Sequence, residues 1–188
     1  MAAETKRALI VVRTYPTPAR NGVEVSCTAA ITDKGEWLRL FPVPYRRLAP
    51  HQQFNKYQWI DVGVEKATDP RPESHKIRQD TLKIVSDLST EHHWQARKDV
   101  IYPLKAESMC AIQRRRDDYG CPTLGIFKPS SFSLIIEDAE QATWSESQLA
   151  ILKQGDLFES DPPEELEKVP FDFSYHLSVT PPSARGTA

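Results

Sequence analysis

SCTAAITDKGEWLRLFPVPY, residues Ser26 to Tyr45, is the stretch whose reading decides the fold. It reads as two strands joined by a tight turn. On the first arm Val23, Val25, Cys27, Ala29 and Ile31 alternate with Glu24, Ser26, Thr28, Ala30 and Thr32, the period of two of a half-buried strand. Asp33-Lys34-Gly35 then supplies a residue tolerant of positive φ where the chain must reverse. On the second arm Trp37, Arg39 and Phe41 share one side, Leu38 and Leu40 the other. The arm stops at Pro42 and Pro44, which cannot donate a ladder hydrogen bond.

Working outward, Ala8 to Tyr15 is an almost continuous apolar run, as expected of a strand buried on both faces. Arg46 to Phe54 holds at most one helical turn, limited by Pro50. Tyr57 to Lys66 is a further strand with Ile60, Val62 and Val64 on one face, and its Gly63 marks a bend of the kind that closes a small barrel. Ile77 to Leu88 fits a helix or a strand, and residues 90–99 a helix or a loop. Leu104 to Asp118 is the best helix candidate, with Leu104, Met109, Cys110 and Ile112 toward a core and Arg114 to Arg116 complementing the dipole at its end. Phe132 to Glu137 is a strand and Trp144 to Leu152 a short helix. Val169 to Val179 adds an edge strand, and residues 180–188 are expected to be disordered.

The expected fold is therefore mainly β with minor α: a small OB-like or SH3-like barrel with one or two short helices. The boundaries expected are an OB-like domain over residues 6–155 and an acidic, Pro-containing segment over 156–188, with its edge strand at 169–179. Fifteen prolines against seven glycines in 188 residues argue against a helical bundle. Three cysteines, none in a CxxC pair, argue against a disulfide framework and for the cytoplasm. The longest apolar run is too short to span a bilayer, so no membrane partner is expected. Net charge is −2, with Lys+Arg exceeding Asp+Glu before residue 131 and an acidic surplus after it, a basic body with an acidic appendage.

Basic and aromatic side chains interleave through the first half of the chain. Arg13, Trp37, Arg39, Phe41, Arg46, Arg47, Trp59 and Arg71 are the candidate nucleic-acid-binding residues, since cations neutralise phosphates and aromatic faces stack unpaired bases. Single strands are favoured over duplex. Arg39 between two aromatics reads equally well as a cation whose stem covers a Trp. Asp61 with Glu65 and Lys66 resembles a nuclease carboxylate pair, but Glu65 and Lys66 project to opposite faces of a strand. The histidines and cysteines lack ligand-like spacing, and GxSxG, GxxxxGK[ST] and GxGxxG are all missing, so no catalytic residue, metal or cofactor is assigned.

Four pieces carry a family resemblance: VRTYPTP (Val12 to Pro18), CTAAITDKGEWLRLFPVPYRRL (Cys27 to Leu48), KYQWI (Lys56 to Ile60) and LGIFKP (Leu124 to Pro129). They resemble uncharacterised bacterial and mobile-element proteins with a Cys-x-Ala-Gly-Ile then Gly-x-Trp-Ile-Arg pattern, similar to the dual OB-containing domains of bacterial conflict and defence loci. The resemblance marks Cys27, Trp37, Arg39, Pro42, Tyr57, Trp59, Arg71, Glu73 and Lys128 as motif residues and implies no catalytic role for any of them. Ala30 stands where a Gly is common, and the chain ends soon after Leu166 to Leu177, where similar proteins continue with Cys, His and acidic residues. The function expected is nucleic-acid binding in an accessory role, without catalysis. The alternatives are a module docking a basic protein partner through its acidic tail, and a metal-dependent enzyme acting on nucleotides or nucleic acid.

Overall fold

Six strands fill the first half of the chain: β1 (Glu4–Arg13), β2 (Thr17–Ala19), β3 (Val23–Thr32), β4 (Trp37–Val43), β5 (Gln58–Lys66) and β6 (Ser74–Asp87). The computed structural model describes residues 4–19, 23–120, 122–156 and 164–178. Five of the strands close on themselves in the order β1-β3-β4-β6-β5, with β1 pairing both β3 and β5. All these pairings are antiparallel except β4 with β6, where Arg39 lies beside Ser74 and Leu40 beside His75. A five-stranded Greek-key barrel of this kind is the OB arrangement.

Alternation builds its core. Ala8 and Ile10, Ala30, Leu38 and Leu40, Ile60, Val62 and Val64, and Leu82 point inward from successive strands and are all but fully buried. One end is plugged by Tyr45, Leu48 and Phe54, delivered by two 3-10 turns at Tyr45–Arg47 and Pro50–Gln52. The Gln52 side-chain amide donates to the Gln79 carbonyl at 2.7 Å, tying this plug to β6. The β5–β6 register slips between Asp61 and Gly63, where the expected bend lies, and the Gly63 N–H donates to Thr81 Oγ1 at 2.8 Å. Gly35 has φ +76°, the left-handed conformation required of the β3–β4 turn.

Beyond the barrel come α1 (Glu91–Ile101), β7 (Lys105–Ala106), α2 (Met109–Tyr119), β8 (Ile126–Phe127), β9 (Ser131–Asp138), α3 (Glu146–Asp156) and β10 (Phe171–Ser178). Arg97 anchors α1, its guanidinium 4.1 Å from the Tyr57 ring centroid and its Nε donating to the Leu88 carbonyl at 3.1 Å. Ile101, Leu124, Gly125 and Ile126 then lie over Val11, Ala29, Ile31 and Trp37, enclosing a cavity of about 210 Å³ against the outside of the barrel. α3 rests against β2 and β3.

The structure corrects two sequence expectations and settles a third. β3 is not half-buried: Glu24, Ser26, Thr28, Ala30 and Thr32 are buried, and so are Val25, Ala29 and Ile31 on its other face. Ile77 to Leu88, whose pattern fits a helix or a strand, is strand as far as Asp87, part of the long β6, because β5 supplies its ladder. α2 begins at Met109, and neither Met109 nor Cys110 reaches a core. That helix is fixed instead by its ends, with the Ser108 hydroxyl accepting from the Ala111 N–H at 3.1 Å and Gly120 in the left-handed conformation. The expected edge strand is β10, which pairs with β9 alone, in a separate two-stranded sheet. Most of the acidic stretch after α3, and residues 180–188, lie outside the described residues. No helix among the described residues is long and apolar enough to cross a membrane.

Candidate nucleic-acid interface

The outer face of β3 and β4 is where OB barrels hold oligonucleotides, flanked by the loop between the first two barrel strands and the loop between the last two. Here the described part of the first connection is residues 14–19, which include β2, and the second is residues 67–73. Register divides this face into two ends. At one, Trp59, Leu9, Ile31 and Trp37 stand side by side across β5, β1, β3 and β4. Leu9 and Ile31 are fully buried, Trp37 is roofed by residues 124–126, and Trp59 packs near Val100, Pro103 and Leu104. The expected use of Trp37 and Trp59 as stacking platforms is thus blocked, because the second half of the chain occupies their face.

The other end lies toward the loops. Cys27 sits at the bulge between Ser26 and Thr28, level with Phe41 and Pro42 of β4, and its N–H donates to Thr14 Oγ1 at 2.9 Å. Arg39 separates the two ends. It is 8% exposed; its Nη1 donates to Ser74 Oγ at 2.7 Å and lies 3.6 Å from Asp69 Oδ2, with the guanidinium 4.5 Å from the Phe41 centroid. Arg39 therefore braces Phe41 and the 67–73 loop from within, a role close to the alternative its position between aromatics allowed.

Arg71 lies farther out. Its Nε donates to Asp69 Oδ1 at 2.8 Å, its Nη2 donates to Asp69 Oδ2, and its own backbone N–H also reaches Oδ1. These bonds from Arg71, with Arg39 nearby, hold the Asp69 carboxyl far below the usual carboxylate range and raise the Arg71 pKa. Lys66 clamps the loop, Nζ donating to the carbonyls of Arg71 at 2.6 Å and Pro72 at 2.7 Å. Arg13, at the end of β1, is stacked 3.4 Å over the Tyr45 ring, which in turn meets Phe54 edge-on. Burial there lowers the Arg13 pKa.

Arg46 and Arg47 lie elsewhere, beside α3. Arg46 donates to Glu24 Oε2 at 3.0 Å and to the Glu164 carbonyl, and both arginines line a cavity with Leu149, Leu152 and Leu166. The structure thus brings together Phe41, Arg39 and Arg71 with Cys27, and sets Arg46 and Arg47 aside beside α3, where Arg46 braces the later segments. Sequence reasoning missed Asp69 and Ser74. The one legible signal was Asp69-Pro70-Arg71, where an Asp two residues before an Arg can accept its backbone N–H.

Glu73 joins the two halves. It is 6% exposed, and its Oε1 accepts from the Thr123 N–H at 2.6 Å and the Thr123 hydroxyl at 2.5 Å. Burial pushes its pKa up, but the Thr123 hydroxyl, backbone N–H groups and Arg71 outweigh this, leaving it below its ordinary value. Asp61, of the nuclease-like set, has both oxygens taken by Arg7, Nε at 2.8 Å and Nη2 at 2.9 Å. No cluster of three or more metal-ligating side chains occurs among the described residues.

Comparison with known families follows the same division. Residues 105–188 match the family described as "Domain of unknown function (DUF8757)", so the Glu73–Thr123 and Arg46–Glu164 bonds cross from one matched region to the other. No curated protein and no solved structure matches the chain. The barrel and α1 fall together within residues 4–103, which match "Domain of unknown function (DUF8758)", and since that is more than half of the chain, the protein belongs to the DUF8758 family.

Proposed function

We propose that the protein binds single-stranded nucleic acid at the loop-flanked end of the β3–β4 face, as an accessory factor without chemistry of its own. The resemblance of its motifs favours such a role in a bacterial defence or mobile-element setting. One observation carries the reading: among the described residues, 124–126 roof the Trp37 end of the β3–β4 face, while Phe41 toward its other end stays partly exposed. The open end presents the half-buried Phe41 ring, stiffened by Arg39, beside the Arg71 guanidinium. A base stacks on Phe41 while a backbone phosphate meets Arg71, the combination by which sequence-tolerant single-strand sites work.

Fluorescence anisotropy with labelled oligonucleotides over a salt series tests this. Phe41→Ala weakens single-strand binding by about 1–3 kcal/mol, the usual loss of one stacked base. Arg71→Ala weakens it and lowers the slope of log K against log salt by about one. Arg78→Ala, on the exposed part of β6, serves as control. Absence of binding at low salt, or affinities unmoved by both substitutions, overturns the proposal.

A further inference from the structure

β9 and β10 form a two-stranded sheet with strict alternation, and one face is apolar except for Asp138 at its end. Register pairs Phe132 with Leu177, Leu134 with Tyr175, and Ile136 with Phe173, and at the end Phe171 with Asp138. Phe132 and Tyr175 meet diagonally at 6.5 Å between centroids, so these side chains share one face. Ser131, Ser133, Ile135 and Glu137 face away with Asp172, Ser174 and His176. The seven apolar residues remain 42–68% exposed. A two-stranded hairpin is marginal in water, and one with a greasy face needs something packed on it.

The geometry points to a second copy of this chain as the occupant, packed face to face through β9 and β10. Area supports this. Seven large side chains about half exposed, at roughly 200 Å² each, give about 700 Å² per copy, close to the ~800 Å² per partner of a stable interface. The pairing pattern supports it further. Each of the three ranks holds one aromatic and one aliphatic side chain. A two-fold axis running along the hairpin between its strands sets Phe132 over Leu177 of the partner subunit, Tyr175 over Leu134 of the partner subunit, and Phe173 over Ile136 of the partner subunit. Large side chains then face smaller ones throughout, as interdigitating sheets require. The contact is isologous and closes at two copies.

Sedimentation equilibrium of the full chain over a wide concentration range tests the proposal. The expected species has twice the 21.4 kDa chain mass. Leu134→Glu, at the central rank, raises the dimer dissociation constant by at least about 30-fold, as loss of a buried anchor does. Leu134→Lys does the same, and mixing the two variants restores a heterodimer, an outcome that misfolding of either cannot mimic. Ser133→Glu, on the opposite face, leaves the dimer intact. A wild-type chain that stays at 21.4 kDa at every concentration overturns the proposal. If that monomer co-sediments with phosphatidylcholine vesicles, the face belongs to a lipid surface instead.

Discussion

Arg39 shows how a single residue's neighbours settle its role. From sequence, an Arg between Trp37 and Phe41 on one strand face could reach outward to phosphate or lie along an aromatic. Ser74 and Asp69 decide it by drawing the guanidinium inward. Neither residue lies on that strand, so the choice was illegible until β6 and the 67–73 loop were placed. Asp69 consequently offsets much of the patch's positive charge. Asp69→Asn is expected to tighten single-strand binding at low salt and steepen the salt slope by about one, since an unneutralised cation is added to the path; anisotropy reads both. Glu73 makes a second residue-level prediction. Glu73→Ala leaves the Thr123 N–H and hydroxyl without their acceptor and costs about 1–3 kcal/mol in denaturant unfolding. The sign of its pH dependence follows from a folded pKa below the ordinary 4.5. Such a carboxylate stabilises fully above its unfolded value and loses that contribution as pH falls through the lower folded one. The gap between wild type and Glu73→Ala is therefore complete at neutral pH and narrows as pH drops below 4.5.

At the scale of elements, legibility tracked how local the determinants were. The β3–β4 hairpin could be read because its turn glycine and two alternating arms are contiguous. β5 could be read from Ile60, Val62 and Val64. β6 could not be told from a helix, since its pairing partners, β5 and β4, come from earlier in the chain and its own alternation is broken near Thr81. α2 was misjudged because its apolar residues were assumed to seek a core, whereas Met109 and Cys110 are exposed. The bend at Gly63 was foreseen, and here it carries a prediction. A Cβ at Gly63 would approach Thr81 Oγ1 to 2.9 Å. Thr81 is not free to retreat, because its hydroxyl donates to the Arg78 carbonyl at 2.6 Å while accepting from the Gly63 N–H. Gly63→Ala should therefore destabilise the barrel by about 1–3 kcal/mol through overpacking, seen as a lower urea midpoint with an unchanged m-value.

At the scale of the described chain, the protein is a barrel whose outer β3–β4 face is partly roofed by the residues that follow it, which no local pattern announced. The charge asymmetry turns near residue 131, beyond this roof, and so gives no trace of the division. The seam is apolar where Leu124 and Ile126 meet Ile31 and Trp37, and is locked at one side by Glu73 and Thr123. The barrel's inner core of Leu38, Leu40, Ile60, Val62 and Phe54 shares no residue with that seam. The roof can therefore detach while the barrel stays closed. Leu124→Asp places an unpaired carboxylate in the seam, and the cost of burying it falls on the roof alone. Hydrogen exchange should then quicken across residues 105–127 while β1, β4 and β5 keep their protection. Single-strand affinity should rise as the Trp37 end of the face is released for stacking. Equal loss of protection in the barrel strands would show instead that the two halves unfold as one cooperative unit and that the roof is indispensable to the β-barrel it covers.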